Sequence, residues 1–412
     1  MKRNKPVNGM ARLALAACCL AALSAARGAE YNVTWTNTAG GDFLNPLNWS
    51  PNQVPVETNT AVFNILTSAP YTVTWSASVT NYRFKVEQGA LTWDLNGNKY
   101  TVTYGGPVLG VAGNTLDMTV TNGQLAIGTG SPYYGIKGNS RVRVVSTSGS
   151  IGRLTGSGID YGATLIVDGS TLGQARYNVM NGGTLVITNS GSLDAGSGTI
   201  TYYQGSVVRM SGAGSWTRLL NMTMECGASG GVYLSDGALI KVWNYSGKPV
   251  LKADSHVFLD HGQLFDNGTF SIQGGVVEGR GKIGSTTYNG GWLRPGGSGG
   301  LGALTNAASL INTNGTYVGT IEIDLAGSDY EEHDRLVVSS GTLYAGGTLA
   351  VSLIDGFQPA TGDTFDILDF NAVDGEFGTL DFPGSTANWD LSKLYTTGEI
   401  RYRPVGTVLM VQ

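Results

Sequence analysis

GGVVEGRGKIGSTTYNGGWLRPGGSGGLGALTN, from Gly274 to Asn306, decides the fold of this chain. It strings short apolar segments between glycines and ends in a Pro-Gly-Gly-Ser-Gly-Gly turn before Leu301. A helix would show apolar residues at a 3.6-residue period between caps, and nothing here does. The pattern predicts short strands broken by tight turns.

The same grammar extends upstream. Asn122-Gly-Gln-Leu-Ala-Ile127, Asn181-Gly-Gly-Thr-Leu-Val-Ile187, Asp236-Gly-Ala-Leu-Ile240 and Asp260-His-Gly-Gln-Leu264 each place a turn pair before an apolar-x-apolar segment. A related turn precedes Leu165-Ile-Val167. The shortest spacings, about 20 to 25 residues, suit one coil of a parallel β-helix. One coil cannot bury its inward Leu, Ile and Val face alone, whereas stacked coils share a continuous core. Gly and Asn take the positive-φ corners.

Composition points the same way. The chain has 412 residues, 62 of them Gly, and only 13% are charged. Typical soluble domains carry about 25% charged residues and about 7% Gly. With 41% hydrophobic residues, ordinary disorder is excluded, and the lack of a strict Gly-X-Y period excludes collagen. The expected fold is all-β: a right-handed parallel β-helix (solenoid) with an N-terminal β cap and a C-terminal β domain.

Residues 1–28 read as a signal peptide. Lys2, Arg3, Lys5 and Arg12 form a basic region, Leu13 to Leu23 an apolar one too short to span a bilayer, and small residues follow. Cleavage is expected after Gly28, with Ala26 as the alternative. Leu15-Ala-Ala-Cys18 also fits a lipoprotein box, which leaves lipidation at Cys18 as a second mode of attachment. After processing only Cys226 remains of the three cysteines, so no internal disulfide can form. No later segment is long and apolar enough for a transmembrane helix.

Residues 29–85 form the expected cap, marked by Trp35, Asn48-Trp49 and Pro55 to Phe63. A bare first coil would be an aggregation-prone edge. Residues 86–315 hold the repeats. Residues 316–412 form the acidic C-terminal β domain: from residue 317 onward there are 4 Lys/Arg against 15 Asp/Glu. This balance argues against nucleic acid and anionic membranes as partners.

Three blocks together resemble the autotransporter-associated β-strand repeat proteins, a group of secreted bacterial β-helix proteins. They are the Trp35…Asn48-Trp49…Pro55…Ala61-Val-Phe63 opening, the Gly274–Thr305 run, and Ile321-Glu-Ile-Asp-Leu325 through Asp334-Arg-Leu-Val-Val338, Gly347-Thr-Leu349 and Gly362-Asp-Thr-Phe365. The resemblance implies extracellular or outer-surface placement, with the periplasm as the alternative, and an adhesive or structural role. The chain ends at Gln412 without the membrane β-barrel of an autotransporter, so neither self-secretion nor C-terminal anchoring is expected.

Several motifs carry possible chemistry. Gly279-Arg-Gly-Lys-Ile-Gly284 matches a dinucleotide fingerprint, which works only when a helix follows; none is expected, so it reads as a corner. Gly296-Gly-Ser-Gly-Gly300 matches a nucleophile elbow around Ser298, but the only later histidine is His333, in an acidic loop. Asp254, His256 and Asp260 share parity on one strand with His261 adjacent, as an oxygen/imidazole metal site would require. Val257 and Leu259 then face inward, and the polar set reads as a solvated face. Asp329, Glu331, Glu332 and Asp334 around His333 would suit calcium, yet the G-G-x-G-x-D calcium repeat is absent, so they read as a solvated acidic turn. Lys137, Arg141, Arg143 and Arg153 near Asp160 are the residues a polysaccharide lyase or hydrolase would use. Outward arginines on a strand serve solubility equally well. Tyr133-Tyr134 and Tyr202-Tyr203 offer sugar-stacking rings, with one ring of each pair packed and one facing out.

No catalytic, cofactor-binding or metal-binding residue is therefore assigned. The expectation is a non-enzymatic structural or adhesive protein whose partners are extracellular polysaccharide or cell-envelope components. The alternative is a β-helix that binds or degrades polysaccharide. The oligomeric state is left open.

Overall fold

A computed structural model describes residues 31–67, 69–103, 106–128, 134–150, 153–173, 176–297, 300–314 and 317–404. The segment read as a signal peptide, with Cys18 and Cys19, lies outside them. The chain is all-β, with stacked parallel coils forming a β-solenoid. No helix among the described residues is long and apolar enough to cross a membrane.

Each coil lays down three short strands. One coil runs through Thr199–Tyr202, Val207–Ser211 and Trp216–Leu219, and Asn221–Met224 begins the next. Stacked strands of the first kind make a sixteen-stranded sheet, parallel except where Trp49–Ser50 runs against Tyr31–Trp35. The other two strips meet at a corner that some strands cross unbroken, among them Thr115–Ile127 and Val276–Ile283.

Alternation along each strand makes the core. In Val207–Ser211, Val208 and Met210 point inward and Arg209 outward. Stacking converts that alternation into columns. Tyr71, Leu91, Met118, Val142, Leu165, Leu185, Val208, Val232, Val257, Val277, Leu293, Ile321 and Leu349 pair one with the next, and all are buried. Burying a side chain of this size is worth roughly 1.5–3 kcal/mol, so a lost column member costs a large share of a domain's net stability. The column passes residues 85/86 and 315/316 in register, so the segments on either side share one stack.

The corners need unusual backbone. Asn122 (φ 57°), Asp236 (φ 52°) and His261 (φ 62°) take the left-handed conformation between two strips. Asn and Asp tolerate it because their short side chains bond locally.

Both ends are filled. At the start, Trp35, Phe43, Trp49, Phe63, Trp75 and Trp93 are fully buried. Trp35 meets Trp49 edge-on at 5.0 Å, and Phe43 stacks on Trp75 at 4.9 Å. At the other end Thr364–Asp366, Glu399–Tyr402 and Trp389–Asp390 form a small antiparallel sheet that buries Phe365, Trp389 and Ile400.

Candidate ligand-binding groove on the outer face

Gly279–Gly284 forms no phosphate cradle. Gly279 lies inside the strand Val276–Ile283, and the next element is the strand Thr286–Asn289. Gly279 is left-handed (φ 105°), and a Cβ there would lie 2.1 Å from the Leu259 carbonyl oxygen of the preceding coil. Glycine is needed for close coil-to-coil approach. Ser298 lies outside the described residues.

Asp254, His256 and Asp260 do not converge. Asp254 is a left-handed turn residue, whereas His256 lies on the strand with its ring 5.6 Å from that of Phe258. Asp260 pairs with exposed His261 at 2.9 Å. Val257 and Leu259 do face inward. Among the described residues, no group of three His, Cys, Asp or Glu side chains is placed to hold a metal ion.

The acidic loop is only partly solvated. Asp329, Glu331 and Glu332 are exposed, but His333 and Asp334 are buried. Asp334 accepts the Gly302 amide at 2.8 Å and the Asp324 amide at 3.1 Å. Burial pushes its carboxyl up to about 8, against the pull of those two amides. The His333 ring meets Phe365 edge-on at 5.8 Å, and burial lowers its basicity.

Arg141 and Arg143 are outward and exposed, as solubility would require. Arg143 is ion-paired with Asp168, however, rather than with Asp160. Asp160 stands in the turn before Thr164–Asp168, where it accepts the Tyr161 amide at 2.9 Å. The side chain of Arg153 and all of Tyr133 lie outside the described residues. Tyr134 and Tyr202 are buried, and Tyr203 is half-buried.

The stacking assembles a site that linear reading missed. Arg209, Tyr233, Phe258, Glu278 and Arg294 occupy successive coils at one outward position. The Tyr233 and Phe258 rings are parallel within 2° at 4.6 Å. That distance matches the spacing of neighbouring strands, so these rings stack along the solenoid axis and turn their edges to solvent. The Arg209 guanidinium lies 4.3 Å over the Tyr233 ring. The Arg294 Nε–H donates to Glu322 Oε2 at 2.7 Å. Beside this column runs an open groove of about 660 Å³. Leu234, Ser235, Leu259, Asp260, Gly279, Gly296, Gly297 and Gly300 complete its lining.

Glu278 is the anomaly in this wall. It is only 5% exposed, and its Oε2 has no hydrogen-bond partner among the described residues. The only sequence signal for this site is the coil period, which superimposes Arg209, Tyr233, Phe258 and Glu278 once the register is known.

A second aromatic cluster decorates the neighbouring strip. Arg218 lies 4.4 Å over the ring of Trp243, Lys241 lies 4.5 Å over that of Trp216, and Arg218 makes a two-point ion pair with Asp194. Trp243 and the adjacent Tyr245 are exposed, by 45% and 87%.

No protein-family model matches the chain, and no curated protein matches it in sequence.

Proposed function

We propose that this chain is an exported bacterial surface protein of the autotransporter-associated repeat type, a rigid non-enzymatic β-solenoid that adheres to extracellular polysaccharide or cell-envelope glycan. The observation that carries the reading is the groove along the outer face. It is open, several coils long, and lined by aromatic rings, charged groups and glycines, a mixed lining that suits an extended polar polymer. The exposed Trp243 and Tyr245 add contact surface on the next strip. The basic, apolar and small-residue order of residues 1–28 supports export, and the acidic last coils argue against anionic partners.

The test is retention of acidic, neutral and basic polysaccharides by the purified chain, run beside an assay of reducing-end release with a known lyase as control. Retention without release is the expected result. Release from any substrate would replace adhesion with the degradative alternative. Failure to retain any glycan would remove the proposal.

A further inference from the structure

Charge accounting along the outward column singles out one residue. Arg294, the neighbour of Glu278 in the column, gives its Nε–H to Glu322, and Asp260 lies 2.9 Å from the His261 ring. Arg209 rests on the Tyr233 ring. Among the described residues Glu278 forms no ion pair, although it is the most buried charged group lining the groove. The residue before it in the column is Phe258, and the face of an aromatic ring is electron-rich and repels a carboxylate. A buried carboxylate oxygen with no donor is costly, and a donor that arrives with positive charge relieves it most.

The rest of the groove fits the same kind of visitor. Phe258, with one face covered by Tyr233, adds apolar contact for a sugar ring. Asp260 adds a second carboxylate at the rim. Gly279, Gly296 and Gly297 leave the backbone uncovered for hydroxyl groups to approach. We infer that this groove binds a protonated amine carried on a saccharide, so that its preferred ligand is a basic amino-sugar chain. This inference rests on reading the outer face as glycan-binding.

Titration calorimetry of the full chain checks it, at a mildly acidic pH where the sugar amine holds its proton. The probes are glucosamine oligomers, their N-acetylated counterparts and oligolysine. Glucosamine oligomers should bind at least about tenfold more tightly than the acetylated ones. Glu278→Gln should reduce that preference to less than about threefold with the fold intact by circular dichroism, and Phe258→Leu should weaken both sugar series alike while leaving the preference in place. Glu331→Gln removes one charge from the exposed acidic loop and should leave the preference unchanged.

Equal binding of both sugar series would overturn the amine inference and leave glycan binding standing. Equal losses in Glu278→Gln and Glu331→Gln would overturn it too, by showing bulk charge attraction. Oligolysine binding as tightly as glucosamine oligomers would overturn the saccharide part. Retention of no saccharide in the wider panel would bring down both this inference and the proposed function.

Discussion

The Gly302 amide donates to Asp334 Oδ1 at 2.8 Å, joining one coil to the next through a buried carboxyl. Burial lifts that carboxyl from 3.8 to about 8. The folded chain therefore keeps a proton that the unfolded chain releases. The stabilisation is complete below the unfolded value and drains away as pH rises toward about 8. Asp324 and Asp366 shift in the same direction. Urea midpoints should fall steadily from mildly acidic to mildly alkaline pH, and Asp334→Asn should flatten much of that slope. A wild-type midpoint that does not move over this range would refute the account.

Asp168 behaves in the opposite sense. Its bonds from Arg143 and then from Asn189 hold its carboxyl below the usual range. The matching stability is present above the unfolded value and lost as pH falls through the folded one. Arg143 is 44% exposed, so solvent screens the pair, and Arg143→Met should cost only about 1 kcal/mol or less. An NMR titration of Asp168 should show its midpoint rising in the variant. An unchanged midpoint would mean that the ion pair does not set it.

Tyr177 bridges two coils inside the core. Its hydroxyl lies 2.8 Å from Thr217 Oγ1 and 3.3 Å from the Tyr202 hydroxyl, and Thr217 Oγ1 donates to the Leu193 carbonyl at 2.7 Å. Tyr177→Phe leaves the Tyr202 hydroxyl buried without this partner, at a cost of about 1–3 kcal/mol. Denaturant unfolding reads the loss directly. A variant as stable as the parent would show that the hydroxyl chain contributes nothing.

Cys226 is a test of core integrity. It is fully buried, and burial pushes its thiol up to about 12. The thiolate is the reactive form. A thiol reagent should leave Cys226 unmodified in the native chain and label it on unfolding. Rapid native labelling would mean that the coil around it opens readily.

Much of the fold was legible because coil turns have a chemical signature. Asn122-Gly and Asp236-Gly read as corners, and both first residues are left-handed in the structure. The inward positions Leu125, Ile127 and Ile240 followed from alternation alone. At Asp260-His-Gly262, also read as a turn, the left-handed residue is His261, which the Asn/Asp-Gly signature does not mark. The groove stayed hidden for a different reason. Arg209, Tyr233, Phe258 and Glu278 meet only through register, and the coils that separate them differ in length. Arg143 was likewise read beside Asp160, a sequence neighbour, whereas its partner is Asp168 on the next coil.

Coil length varies widely along this stack. Val277 pairs with Leu293 after a short circuit, whereas Leu349 pairs with Leu380 after a much longer one. The columns stay in register because surplus residues leave at the corners. Axial pitch is therefore uncoupled from chain length: every outward group keeps its place on a ruler marked at about 4.8 Å, whatever loops are inserted between the marks. Such a scaffold can gain or shed surface loops over evolutionary time, or on an engineer's bench, without moving any other group along its length.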